Sequence, residues 1–101
     1  MNAKLLFRDK YLYQDGAIRE MVIWRLPEPD EERPHGLKYR LYYGQSGQCL
    51  VRYDNERGKG DHRHFSNDGN EYEEPYSWIS VQQLMADFKA DIERLRGKEN
   101  D

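Results

Sequence analysis

This chain holds a single cysteine, Cys49, no apolar run long enough to span a membrane, and no excess of basic charge. Each shortage excludes something. A lone thiol cannot close a disulfide within the chain, nor build a structural zinc site on cysteines. A membrane helix needs about 20 consecutive apolar residues, and the opening stretch, MNAKLLFRDK, lacks the apolar core of a signal peptide. No membrane association is expected, and a cytoplasmic protein is. The formal net charge is −3, whereas a dedicated nucleic-acid binder usually carries a strongly basic surface. Any grip on a polyanion must therefore come from a local patch.

Aromatic residues are not scarce. Charged residues make up 35% of the chain, a level compatible with disorder, but 13% are aromatic, and such bulky groups offset chain entropy when buried. One hundred and one residues suit one domain spanning residues 1–101 around one modest core, usually a sheet with a helix against it.

The hydrophobic period is two over most of the length. Leu5, Phe7, Tyr11 and Tyr13 share one parity, and Gln14-Asp15-Gly16 supplies a turn. The return strand alternates with Ile18, Val22, Trp24 and Leu26 on one face, although Met21 and Ile23 blur the pattern and suggest a strand buried on both faces. PEPDEERPHG, residues 27–36, is a proline-rich acidic loop. Then Leu37, Tyr39, Leu41 and Tyr43 face one way and Lys38, Arg40 and Tyr42 the other. GQSG, residues 44–47, turns the chain into QCLVRYD. Residues 55–75 read as an extended loop with at most a short strand at His62–Phe65. From Val81 the period becomes helical: Val81, Leu84, Met85, Phe88, Ile92 and Leu95 form one stripe, Ser80 with Gln83 fits a capping box, and Gly97 is the expected stop. The expected fold is α+β: an antiparallel meander of four to five strands with a C-terminal amphipathic helix packed on one face.

The chemistry concentrates in RYDNERGKGDHRH, residues 52–64, with four cations, three carboxylates and two of the three histidines. If residues 62–64 are extended, His62 and His64 point to the same face and Arg63 points away. One reading is RNA cleavage. His62 and His64 supply a general base and a general acid, since imidazole titrates near neutral pH. Arg52, Arg57, Lys59 and Arg63 hold phosphate, Asp54 and Asn55 orient the histidines, and Tyr42, Tyr43 or Tyr53 stacks a base or donates a proton. A second reading is a metal site built on His62, His64 and Asp54 or Asp61, with His35 as a further ligand. H-x-H alone is weak evidence, and neither a metal nor another cofactor is expected. A third is structural: Asp and Asn after a strand commonly cap turns.

The chain also resembles the TumE family of small bacterial and archaeal proteins, the toxin halves of toxin–antitoxin pairs. The resemblance rests on the LFRDKYLYQDGAIREMVIWRLP hairpin, the YRLYYG strand, and VRYDNERGKGDHRHF followed by the terminal amphipathic helix. Its YDN and H-x-H correspond to Tyr53, Asp54, Asn55, His62 and His64. Many members carry further histidines in the spacer, where this chain has ERGKGD. The resemblance implies a growth-inhibiting protein neutralised by a partner, usually a helix-turn-helix antitoxin. An RNA target, suggested by the histidine and cation cluster, remains to be weighed against a module that inhibits a partner by binding alone. A homodimer is compatible with either.

Overall fold

The computed structural model describes residues 2–56, 58–67 and 69–99. Six strands precede one helix: β1 (Lys4–Leu12), β2 (Ile18–Arg25), β3 (Leu37–Gln45), β4 (Gln48–Asp54), β5 (His62–Asn67), β6 (Asn70–Pro75) and α1 (Val81–Glu99). The strands lie in sequence order in one sheet, each antiparallel to its neighbour. The expected meander and C-terminal helix are present, but the sheet has six strands rather than four to five. The sixth strand is β6, which pairs with β5 in a hairpin within the stretch read as loop. Its turn includes Gly69 at φ 82°, in the left-handed region that glycine adopts without a Cβ penalty. The polar residues of NEYEEP conceal β6 because it is an exposed edge with no apolar face to bury.

The core lies between one sheet face and α1. Tyr39, Leu41 and Tyr43 of β3, Val51 and Tyr53 of β4, and Met21 and Ile23 of β2 are buried against Leu84, Phe88 and Ile92. Pairing fixes the rows: Met21, Leu41 and Tyr53 stand in register across three strands. In β2 the buried parity is that of Met21 and Ile23. The alternate set of Ile18, Val22 and Trp24 is only half-buried on the opposite face, which no helix covers. The expected burial on both faces is therefore complete on one face only.

Two terminal signals shift as well. The β3–β4 turn is Ser46-Gly47, both at positive φ (54° and 77°), the geometry of a tight hairpin. Gly44 stays inside β3, where an added Cβ would run into the Tyr42 hydroxyl and the Gln48 carbonyl. At the helix start, Ser80 Oγ accepts the Gln83 N–H at 3.0 Å, as the capping pattern predicts. Gly97 does not end α1, which continues to Glu99. The helix is instead tied down near its end by Arg96, which donates to the Tyr43 hydroxyl (3.0 Å), pairs with Asp15 (3.1 Å) and lies 3.9 Å over the Tyr13 ring.

Candidate functional site

Three consecutive residues, Tyr53, Asp54 and Asn55, go to three destinations. Tyr53 points to the helix side, packs edge-on against Phe88 with ring centroids 5.6 Å apart, and donates its hydroxyl proton to Asp91. Asp54 points to the open side of the sheet. Asn55, beyond the last β4 residue, turns back onto β3: its Oδ1 accepts the Tyr39 N–H (3.1 Å) and its Nδ2 donates to the Leu37 carbonyl (2.8 Å). Asn55 thus satisfies backbone groups that a longer β4 would have paired, and it makes no contact with either histidine.

The open face carries the histidines. Asp54 stands opposite His62 and Arg52 opposite His64, so the four side chains occupy two adjacent cross-strand rows. His62 Nε2 lies 2.7 Å from Asp54 Oδ1, close for an ion pair but off the line of a good hydrogen bond. Its Nδ1 is 3.0 Å from the Gly60 carbonyl. Both ring nitrogens of this buried imidazole therefore face oxygen acceptors. Arg52 Nε donates to the other Asp54 oxygen at 2.9 Å. His64 Nδ1 is buried without a partner among the described residues, which leaves this ring uncommitted on that side. Lys59, at the rim, lies 3.7 Å from Glu73, the residue paired with His64 on β6. Arg57 lies outside the described residues.

Arg63 falls on the helix side, between the two histidines in sequence and on the opposite face from both. Its guanidinium donates to Glu74 (2.7 Å) and to the Tyr53 hydroxyl (3.1 Å), and lies 3.7 Å from Asp91, which also pairs with Arg94 at 2.6 Å. Burial first, and then the hydrogen bond to Asp91, pushes the Tyr53 hydroxyl well above the usual tyrosine range. Tyr53 and Arg63 form a closed network that holds the helix, apart from the histidines.

The third histidine is also committed elsewhere. His35 stacks on Trp78 with centroids 4.0 Å apart, accepts the Leu37 N–H at Nδ1 (3.2 Å), and contacts Asp61 through Nε2 at 3.1 Å. Asp61 also accepts the Tyr39 hydroxyl at 2.8 Å. This group pins residues 35 and 61 to the Tyr39 side of the sheet, so His35 and Asp61 do not join His62 and His64. Among the described residues no three His, Cys, Asp or Glu side chains converge as metal ligands.

Beside the Arg52–Asp54 pair opens a cleft of about 700 Å³ lined by Trp24, Lys38, Arg40, Arg52, Asp54 and Glu56, among others. The Lys38 ammonium lies 5.6 Å over Trp24 and the Arg40 guanidinium 5.3 Å over Tyr42. Neither cation has a carboxylate partner among the described residues. Lys38, Arg40 and Trp24 were not among the predicted site residues, although the alternation in LKYRLYY already placed Lys38, Arg40 and Tyr42 on one face. Distance in sequence from the histidines hid them; Arg40 pairs directly with Asp54 in the ladder. Cys49 is outside the site, and burial pushes its thiol up, which makes it a poorer nucleophile.

A family model described as Toxin TumE matches residues 2–96. The chain belongs to that family. It is therefore the toxin component of a toxin–antitoxin pair, and an antitoxin is its partner. No curated protein and no solved structure gives a significant match. Among the described residues, no helix of the toxin is long and apolar enough to cross a membrane.

Proposed function

We propose that the toxin is an endoribonuclease working from the open face of its sheet, and that its antitoxin is of the helix-turn-helix type. The observation that carries the RNA reading is the placement of His62, His64, Asp54, Arg52 and Arg40 in adjacent rows of one face, next to a cleft with cations and an aromatic side wall. RNA cleavage by proton transfer needs no more than that set. His64 takes the proton of a ribose 2′-hydroxyl as its oxygen attacks the adjacent phosphorus; the unpartnered Nδ1 of His64 is buried and, like the His62 ring, has to be uncovered for this. The P–O5′ bond breaks, the leaving oxygen receives a proton from His62, and the products are a 2′,3′-cyclic phosphate and a 5′-hydroxyl. Asp54 and the Gly60 carbonyl, one beside each ring nitrogen, hold the orientation of His62. Arg52 and Arg40 offset the charge that builds on the phosphoryl oxygens. Trp24 and Tyr42 offer ring faces to unpaired bases. Asn55 and Tyr53 act only by holding β4 in place.

A second reading is inhibition by binding without turnover, and the burial of His62 favours it, because a ring that is 5% exposed must be uncovered before it touches substrate. The two are separated by inducing wild type, His62→Ala and His64→Ala in cells and examining growth and total RNA. The enzyme predicts arrest and RNA fragmentation by wild type alone. Arrest by all three with intact RNA would reject it in favour of the binder.

A further inference from the structure

β1 is the least explained part of the toxin. It is a nine-residue edge strand with a sheet neighbour on one side only. Its free edge presents unpaired backbone donors and acceptors, a template for another strand. Five of the seven large apolar side chains exposed among the described residues belong to it: Leu5, Leu6, Phe7, Tyr11 and Leu12. A register shift between Leu5 and Phe7 leaves Leu6 as an extra residue in β1, so that apolar groups stand on both faces. Among the described residues Lys4, Arg8 and Lys10 have no ion pair, while Asp9 is held by Arg19 at 3.2 Å.

The other edge is built differently. β6 has six residues, Asn70–Pro75, with Glu71, Glu73, Glu74 and a proline. Charge and proline are the usual guards of an edge that must stay free. β1 has no proline, and its three exposed cations, Lys4, Arg8 and Lys10, stand among five exposed large apolar side chains.

We propose that β1 is the docking edge for the antitoxin, which adds an extended segment to the sheet with acidic residues opposite Arg8 and Lys10 and apolar residues opposite the leucines and aromatics. A second copy of this chain fits poorly. Antiparallel pairing of β1 with itself about a two-fold axis sets residues opposite each other symmetrically. Centred on Arg8, Asp9 or Lys10, it puts that charge against its own copy. Like charges directly opposite destabilise a ladder. A partner strand with acids at those places removes the conflict and covers the apolar groups. The proposal rests on the toxin having an antitoxin, not on RNA cleavage.

The test uses the toxin alone and its purified complex with the antitoxin. Hydrogen exchange should slow at β1 amides on complex formation and stay unchanged at β6. The double variant Arg8→Glu, Lys10→Glu should keep its circular dichroism and its growth inhibition, but weaken antitoxin binding by roughly tenfold or more, so that co-expressed antitoxin no longer rescues growth. The pair Glu71→Lys, Glu73→Lys should be rescued normally. Unprotected β1 amides in the complex would overturn the proposal, whatever the variants do. So would a concentration-dependent toxin oligomer that the β1 variant abolishes, because the strand would then be an interface between copies.

Discussion

Two clusters of arginine and carboxylate lie back to back across β4 and β5, and they have opposite characters. On the helix side, Arg63 and Arg94 are matched by Glu74 and Asp91, with the Tyr53 hydroxyl joining them. Every member has a partner, with Asp91 buried at the centre and Arg94 and Glu74 at the rim. On the open side, Arg52 and His62 share one carboxylate, Asp54, while among the described residues Arg40 and Lys38 have no carboxylate partner and His64 Nδ1 is buried without a hydrogen-bond partner. Residues 52 to 54 and 62 to 64 supply both clusters, alternating between them one by one. Residue type therefore does not decide which of these groups fasten the helix. Parity does, together with which face the helix takes.

The comparison breaks most readily at Asp91. Replacing it by alanine leaves the buried Tyr53 hydroxyl without its acceptor, while Arg63 keeps Glu74 and Arg94 is largely exposed to water, so the expected cost is that of a charged hydrogen bond with one partner left unsatisfied, about 1–3 kcal/mol. Urea unfolding of Asp91→Ala should show a loss on that scale; a change near zero would mean the helix-side cluster is not a fastening. His64→Ala should do the reverse. Its unfolding midpoint stays near wild type, while cleavage of a single-stranded RNA substrate falls by about 10²–10⁴-fold, the usual worth of a general acid or base. A destabilised variant with normal turnover per folded molecule would exchange the roles of the two faces.

A smaller effect separates the faces by pH. Burial, then a hydrogen bond to a carboxylate, raises the hydroxyls of Tyr39, Tyr53 and Tyr76 well above the ordinary tyrosine value, all three on the helix side. A raised value in the folded state gives stability that is complete below the unfolded value of about 10. Above it, the unfolded chain releases protons that the folded chain retains, so stability falls as pH rises. Denaturant titrations between pH 8 and 11 should show a steeper alkaline loss in wild type than in Tyr53→Phe. The smallest effect concerns Arg40. Its replacement by alanine should lower the slope of log affinity for single-stranded RNA against log salt by about 0.7, one phosphate contact. The same oligonucleotide should quench the emission of Trp24 and leave Trp78, stacked on His35, unaffected; Trp24→Phe and Trp78→Phe assign the signal.

Much of this was legible in the amino acids, for identifiable reasons. The β3 and β4 alternation and the α1 stripe could be read because each buries one face only, and His62 and His64 could be placed together from the period of two. β2 was harder, since Trp24, Val22 and Ile18 are half-buried on the open face and mimic a core parity. β6 was missed because its residues are polar, although the glycine of SNDGNE marked the turn. At the site, Arg40 and Lys38 could be assigned a face but not a neighbour: their approach to Asp54 and Trp24 depends on strand order, which a linear pattern does not encode. Asn55 was invisible for a similar reason, because its partners are backbone groups sixteen and eighteen positions away.

The ladder between β4 and β5 also bears on how such a toxin can change over generations. His62 and His64 take their positions from pairing with Asp54 and Arg52 and, for His62, from the Gly60 carbonyl just before β5. Lengthening the stretch between Asn55 and Gly60 costs little, since loop closure grows only slowly with length. That stretch is thus free to gain, lose or replace residues, while Asn55, Gly60 and Asp61 keep their contacts with β3, His62 and Tyr39. It is the place where relatives can diverge in target or control without rebuilding the fold, and the natural point at which to insert a reporter peptide.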